Sequence, residues 1–149
     1  LPDEIDDARS TAALVEQAGQ RAVLIAADVQ SEQACVETIA AAVSAMDGLD
    51  ILVLNAAYQE YRDGFETVST PEFERVFRTN LFSMIWLLRE ALPHLGRGSS
   101  IISTTSIQAS QPSPGLVDYA MTKAAQVAFT TALADELGPQ GIRVNAVAP

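Results

Sequence analysis

Tyr119 and Lys123 lie four residues apart in a segment, residues 116–137, whose pattern is typical of a helix. This spacing puts both side chains on one face of a helix, with the ammonium within a few ångströms of the phenol. A free phenol has a pKa near ~10, and a neighbouring positive charge lowers that pKa by favouring the phenolate. The pair therefore predicts a tyrosine that can act as a general acid or base.

Ser106 lies thirteen residues before Tyr119, where an apolar run over residues 99–104 ends in a loop rich in proline. The run predicts a buried strand, and ligands of open α/β sheets bind at the carboxyl ends of the strands. A hydroxyl beside the phenol could hold the same substrate oxygen. Lys123 is the only lysine of the chain, which weakens a purely solubilising role for it. A tyrosine and a lysine at this spacing also occur by chance on solvated helices.

The rest of the chain alternates between helical and strand patterns, and Gly19, Ser31 and Pro71 are residue types typical of helix ends. Helices are predicted over residues 4–18, 31–46, 71–92 and 116–137, and strands over residues 21–27, 50–54, 99–104 and from 142 onward. Such alternation gives β-α-β units, and strands this apolar need cover on both faces. The sequence thus predicts an α/β fold with four parallel strands and helices on both faces, in one domain of residues 1–149.

Bulk composition narrows the classes of function. A chain of 149 residues with 48% hydrophobic residues suits one domain with a sizeable core. Its net charge of −10 argues against nucleic acid or an anionic membrane as partner, since both require clustered basic residues. Cys35 is the only cysteine and predicts a packed core thiol rather than a disulfide. No metal site is predicted, and the absence of a signal peptide or long apolar run predicts a cytoplasmic protein.

The serine thirteen positions before a Tyr-x-x-x-Lys helix, with the following segment Ile142-Arg-Val-Asn-Ala-Val-Ala-Pro149, resembles the short-chain dehydrogenase/reductase family. The resemblance implies an incomplete Rossmann-like domain and an oxidoreductase that uses NAD or NADP on a small-molecule alcohol or carbonyl substrate. It also implies a homo-oligomer, dimer or tetramer, for the complete protein. The wording Ser-Ile-Gln-Ala-Ser-Gln-Pro-Ser-Pro from Ser106 onward is similar to the glucose/ribitol-dehydrogenase-like branch.

The resemblance also implies roles for individual residues. The catalytic set is Ser106, Tyr119, Lys123 and Asn80, with Asn80 holding a water that links the lysine to solvent. The cofactor-binding set is Asp28 at the adenine, Asn55, Ala56 and Ala57 at the adenosine half, Pro149 near the nicotinamide, and again Tyr119 and Lys123. Leu54 and Ala57 depart from the family's Asn-Asn-Ala-Gly, and the alanine replaces a glycine that tolerates any backbone angle.

Part of the family pattern has no counterpart in these 149 residues. The glycine-rich turn that approaches the cofactor pyrophosphate is missing, and Leu1-Pro-Asp-Glu resembles the segment just after the family's second strand. The family's substrate-covering loop and last strand, which would follow Pro149, are missing as well. The chain is therefore expected to be a fragment, inactive alone and without tight dinucleotide binding. In the family's strand order, two strands would separate residues 21–27 from residues 50–54. Either these segments pair directly, or residues 21–27 stay detached and the fold is marginal.

Two other interpretations remain open. One is a non-catalytic module that associates through the long predicted helices 71–92 and 116–137. The other is an extended short-chain enzyme acting on nucleotide sugars, which shares Tyr-x-x-x-Lys. The position of Ser106 and the presence of Asn80 favour the dehydrogenase interpretation over that second alternative.

Overall fold

The computed structural model describes the backbone of residues 2–149 and the side chains of residues 5–149, so the resemblance of the opening Leu1-Pro-Asp-Glu lies largely outside the described residues. After the first helix, helical segments and strands alternate in this part of the chain. The helices are α1 (Pro2–Gln17), α2 (Glu32–Met46), α3 (Thr70–Phe77), α4 (Ser83–Ala91) and α5 (Val117–Leu137), and the strands are β1 (Ile51–Leu54), β2 (Ser100–Thr104) and β3 (Arg143–Val147).

The three strands form one parallel sheet in the order β1-β2-β3, with β2 in the middle. Leu52 pairs with Ile101 on β2, and Ser103 of β2 pairs with Ala146 on β3. The carboxyl ends of all three strands therefore meet at one edge of the sheet. The predicted parallel sheet is confirmed, whereas the predicted number of four strands is wrong.

The missing strand is the predicted one over residues 21–27, which the structure leaves without regular secondary structure. Val23, Leu24 and Ile25 are exposed, and the backbone of residues 22–27 makes no hydrogen bond to the described residues. The guanidinium of Arg21 donates to the carbonyl of Ala45 at the end of α2. An apolar run becomes a strand only where another strand offers its backbone. Of the two arrangements that the sequence left open, the structure shows the detached one.

The hydrophobic core lies on one face of the sheet, between the strands and helices α2, α4 and α5. Its buried members come from α2, β1, α4, β2, α5 and the adjoining turns: Ile39, Leu52, Leu54, Met84, Leu88, Ala91, Leu95, Ile101, Leu133, Leu137 and Ile142. Alternate residues of a strand point to opposite faces. Ile51 and Val53 alternate with the buried leucines and are 63% and 56% exposed. The prediction of helices on both faces is therefore wrong, because the described residues cover only one.

Local sequence signals explain where α2 and α3 begin. The Ser31 hydroxyl accepts from the N–H of Ala34, and Ser69 forms a capping box with Glu72. The helix predicted over residues 71–92 consists of α3, a π-helical segment (Arg78–Phe82) and α4. Such segments occur frequently at functional sites, and this one contains Asn80.

No helix within residues 2–149 is long and apolar enough to cross a membrane, and the cytoplasmic location stays a prediction.

Candidate active site

Tyr119 and Lys123 lie on the buried side of α5, one helical turn apart. They are 9% and 1% exposed, and the Lys123 Nζ lies 5.3 Å from the centroid of the Tyr119 ring. The same Nζ donates a hydrogen bond of 2.6 Å to the carbonyl oxygen of Thr104, the last residue of β2. The expected pairing of ammonium and phenol is thus present, and it is attached to the carboxyl end of the central strand.

Ser106 follows β2 by two residues, in extended backbone that leads into a short 3-10 turn. Its neighbours fix it against the extension of β3: the N–H of Thr105 donates to Val147 O at 2.7 Å, and that of Ile107 to Pro149 O at 2.9 Å. The Ser106 Oγ accepts from the N–H of Gln108 at 3.3 Å. The hydroxyl O–H remains available to donate a hydrogen bond.

The environment of Lys123 changes its protonation. Desolvation by burial lowers the pKa of this ammonium from 10.5 to about 8. The group is still mostly protonated at pH 7, so it supplies a positive charge beside the phenol. Because an ammonium has three N–H donors and Thr104 takes one of them, two remain for other acceptors.

Asn80 connects the loop after β1 to the helix that carries Tyr119. Its Oδ1 accepts from the N–H of Tyr58 at 2.7 Å, while its Nδ2 donates to Tyr58 O at 2.9 Å and to Thr122 Oγ1 at 3.2 Å. Thr122 Oγ1 in turn donates to Tyr119 O at 2.7 Å. Both amide protons are therefore used, and one lone pair of Oδ1 is left for the water that the family resemblance implies.

The start of the loop after β1 borders the same region. Asn55 and Ala56 line a cavity of about 70 Å³ together with Asn80, Ser83 and Gln126. The Oε1 of Gln126 is buried there without a partner among the described residues, while its Nε2 donates to Asn80 O. Ala57 follows in the loop and precedes Tyr58. The predicted Asn55-Ala56-Ala57 segment and Asn80 thus lie together at the carboxyl end of β1.

The remaining two predicted residues lie differently. Pro149 is brought beside Ser106 through the hydrogen bond between its carbonyl and Ile107. Asp28 is exposed in the turn before α2, where its Oδ1 accepts from the N–H of Gln30 at 3.0 Å. No hydrogen bond in the described part of the chain joins Asp28 to the catalytic candidates.

Several residues of this region were not singled out from the sequence. Thr104 and Tyr58 act through backbone atoms, which leave no signal in residue type. Asp118, directly before Tyr119, is buried, and Arg62 in the loop after β1 has a nearly buried guanidinium. A charged residue gives no sign of burial in a single sequence, although an acidic residue in the first turn of a helix is a recognisable pattern.

Known proteins are similar to this chain over nearly all of its length. A family model described as Enoyl-(Acyl carrier protein) reductase matches residues 3–149. A short chain dehydrogenase from Burkholderia cenocepacia J2315, solved in complex with NADP, superposes with a TM-score of 0.90 and 34% identity, covering 95% of this chain and 58% of that one. This chain belongs to the short-chain dehydrogenase/reductase family.

Curated relatives of this short-chain dehydrogenase/reductase chain are named as an oxidoreductase and a dehydrogenase homolog. The uncharacterized oxidoreductase YhxD of Bacillus subtilis (strain 168) is 42% identical over 149 residues, which are 100% of this chain and 50% of the relative. Glucose and ribitol dehydrogenase homolog 2 of Arabidopsis thaliana is 40% identical over 150 residues, 98% of this chain and 52% of the relative. The chain spans about half the length of the curated relatives it matches. The family predicted from the sequence is thereby confirmed.

Proposed function

We propose that this chain supplies the catalytic residues of an NAD(P)-dependent oxidoreductase that interconverts an alcohol and a carbonyl group. One observation carries the proposal. The buried Lys123 ammonium is bonded to the carbonyl at the end of β2, faces the Tyr119 ring at 5.3 Å, and lies close in the fold to Ser106, two residues beyond that strand end. An acid, its charge partner and a hydroxyl at one sheet edge form the arrangement that proton transfer to a substrate oxygen requires.

The proposed roles follow from the chemistry of each side chain. In the reducing direction, the Tyr119 hydroxyl gives its proton to the carbonyl oxygen, and in the oxidising direction the phenolate takes that proton from the alcohol. The Ser106 hydroxyl donates a hydrogen bond to the same oxygen. The Lys123 ammonium stabilises the negative charge that Tyr119 carries after it has lost its proton. The nicotinamide, when bound, supplies or accepts the hydride.

The donor set fits such a cofactor. The two remaining N–H donors of Lys123 suit the hydroxyl oxygens of a nicotinamide ribose, and Tyr119 lies beside them. Pro149, next to Ser106, would border the nicotinamide. On the other side, Asn55, Ala56 and Ala57 would line the path of the adenosine half, and the exposed carboxylate of Asp28 would contact the adenine. The proposed cofactor is NAD or NADP.

We also assign Asn80 to the proton path. The lone pair left on its Oδ1 can hold a water in the adjoining cavity, where the buried Gln126 Oε1 also needs a donor. A water donates two hydrogen bonds, so these two acceptors can share it. This water would exchange protons between the region of Lys123 and solvent.

The proposal is tested on the complete gene product that contains these 149 residues, with NADH and NADPH, over a panel of sugars, polyols and ketones. Replacing Tyr119 with phenylalanine removes only the proton-carrying oxygen, so turnover should fall by a factor of about 10² to 10⁴. The matched control is Tyr61→Phe, since Tyr61 is exposed, and it should keep turnover within about twofold. Circular dichroism should show the same fold for both variants. An unchanged rate in Tyr119→Phe would refute the catalytic assignment.

A second candidate function is association through the long helices. Phe82, Met121 and Val127 are exposed on the π-helical segment and α5, where apolar side chains favour contact with another copy. A homo-oligomer, dimer or tetramer, is therefore proposed for the complete protein. Sedimentation velocity should show an oligomer that Met121→Lys shifts towards monomer, with Arg9→Lys on α1 as control. If Met121→Lys leaves the sedimentation coefficient unchanged, this surface is not the interface.

A further inference from the structure

Two of the three nitrogen atoms of the Arg62 guanidinium have no hydrogen-bond partner among the described residues. Its Nη1 lies 2.9 Å from Glu72 Oε1 and 3.3 Å from Glu60 Oε2. Its Nε and Nη2 are buried and have no hydrogen-bond partner among the described residues. The arginine side chain as a whole is only 10% exposed. Buried N–H groups nearly always form hydrogen bonds in folded proteins, so the Nε and Nη2 groups of Arg62 indicate an acceptor nearby.

Asp118 is the complementary case. It is 2% exposed in the first turn of α5, and its Oδ1 accepts from the N–H of Tyr119 at 2.8 Å. Its Oδ2 is buried without a partner in the part of the chain that the structure describes. A carboxylate out of water is costly unless a positive charge compensates it. One buried acceptor thus lacks a donor, and two buried donors lack an acceptor.

The backbone brings these two residues to the same place. The N–H of Arg62 donates to Gly115 O at 2.9 Å, three residues before Asp118. The approach is close enough that a Cβ on Gly115 would lie 2.3 Å from the ring of Tyr61. Burial alone would lower the pKa of Arg62, but the carboxylates of Glu60, Glu72 and Asp118 outweigh it and raise that pKa.

We propose that Arg62 is a positioning residue for Tyr119, acting as the counter-charge of the buried Asp118 carboxylate that holds the Tyr119 N–H. The contact runs from Nε and Nη2 to Oδ2 through one bridging water, because these atoms have no direct partner among the described residues. It joins the loop after β1 to the first turn of α5, and Glu72 joins the same guanidinium to α3. The position of the Tyr119 phenol relative to Ser106 then depends on an ion pair that contacts neither substrate nor cofactor. This inference rests on the proposed function of Tyr119.

The test is a double-mutant cycle with Arg62→Met, Asp118→Asn and the double variant in the 149-residue chain. Each single variant should lower the folding equilibrium constant by at least about tenfold, because it leaves a buried charge or polar group unpaired. The double variant should be no worse than the poorer single variant, which corresponds to a coupling of at least about tenfold. Additive effects of the two substitutions would overturn the pairing.

A spectroscopic measurement separates positioning from stability. In chains carrying tyrosine labelled with ¹³C at Cζ, Arg62→Met should shift the Tyr119 resonance, and Arg62→Lys should restore it in part because it keeps the charge. The control is Arg89→Met, which removes an arginine paired with Glu32 at the surface and should leave the resonance unchanged. An unmoved Tyr119 resonance in Arg62→Met would overturn the positioning role even if stability falls.

Kinetics of the complete gene product distinguishes this inference from the function on which it rests. Arg62→Met should lower kcat by at least about tenfold and leave KM within about twofold, because it displaces a catalytic group and leaves substrate binding intact. If Tyr119→Phe abolishes turnover while Arg62→Met keeps kcat, only the positioning role fails. If Tyr119→Phe keeps full turnover, the proposed function fails, while the measured coupling between Arg62 and Asp118 is unaffected.

Discussion

Replacing Lys123 with methionine should change how the stability of the chain depends on pH. The lysine is 1% exposed, and burial lowers its pKa from 10.5 to about 8. Methionine has a similar length and shape but no charge. The substitution also removes the hydrogen bond from Lys123 to the carbonyl of Thr104. The pH-dependent part of the difference between the two proteins therefore reports the titration of the buried Lys123 amine, including the effect of its charge on neighbouring groups.

The sign follows from proton binding. The pKa of Lys123 is lower in the folded chain than in the unfolded chain, so the unfolded chain binds more protons between pH 8 and 10.5. Stability therefore rises with pH across this window, and the cost of the buried charge is fully present below pH 8. At about 1.36 kcal/mol for each pKa unit, the whole window corresponds to about 3 kcal/mol, and about 2 kcal/mol is recovered between pH 7 and ~9.5.

The assay is urea unfolding of the original chain and Lys123→Met at pH 7 and ~9.5, followed by fluorescence of Trp86. Relative to Lys123→Met, the original chain should gain about 2 kcal/mol at the higher pH. Arg9→Lys is the matched control, since it places a lysine at a position where the side chain is 70% exposed and should add no pH dependence. If the original chain and Lys123→Met show the same pH dependence, Lys123 titrates as in water and the argument for a desolvated ammonium fails.

Three further predictions concern other parts of the molecule. Leu54→Ala should lower the free energy of unfolding by about 2–5 kcal/mol and Val53→Ala by less than about 1 kcal/mol, because only Leu54 faces the core. Equal losses for the two variants in urea unfolding would contradict a sheet that is covered on one face. Asn80→Ala should lower the free energy of unfolding by about 3 kcal/mol, because it leaves the backbone N–H and carbonyl of Tyr58 unpaired. The control Asn145→Ala, at an exposed position, should change it little, and equal losses for the two variants would contradict the bridging role of Asn80. Isothermal titration of the 149 residues with NAD and NADP should show no tight binding; low-micromolar affinity would contradict the assignment of pyrophosphate recognition to a glycine-rich turn.

Local signals predicted most of the fold. The caps at Ser31 and Ser69 bond backbone groups within one turn of their own position, which makes such caps recognisable in a sequence. The helix start at Ser31 was predicted, and Ser69 lies two residues before the helix start predicted at Pro71. The strand over residues 21–27 was wrong for the opposite reason. Its apolar composition indicates a preference for burial, but pairing depends on a second strand far along the chain. The π-helical segment likewise has no pattern of its own in the sequence.

In the candidate site, too, contacts within one helix were predicted and contacts between distant residues were not. Tyr119 and Lys123 were predicted as neighbours because helix geometry alone brings them together, and the structure has them on one buried face. The bond from Lys123 to Thr104 and the links from Asn80 to Tyr58 connect residues 19 and 22 positions apart and involve backbone atoms. A single sequence carries no signal for such contacts. The roles assigned to the predicted residues stay predictions until turnover is measured.

The central strand explains why these distant contacts converge. β2 is hydrogen-bonded to a strand on each side, so its carboxyl end is held between the ends of β1 and β3. The carbonyl of Thr104 holds the Lys123 ammonium there, and the chain reaches Ser106 only two residues later. Both hydroxyl groups proposed to contact substrate are thus fixed relative to one strand, one through the loop that follows it and one through a buried lysine. Loosening the Thr104 contact should therefore displace Tyr119 relative to Ser106 even where α5 itself stays intact.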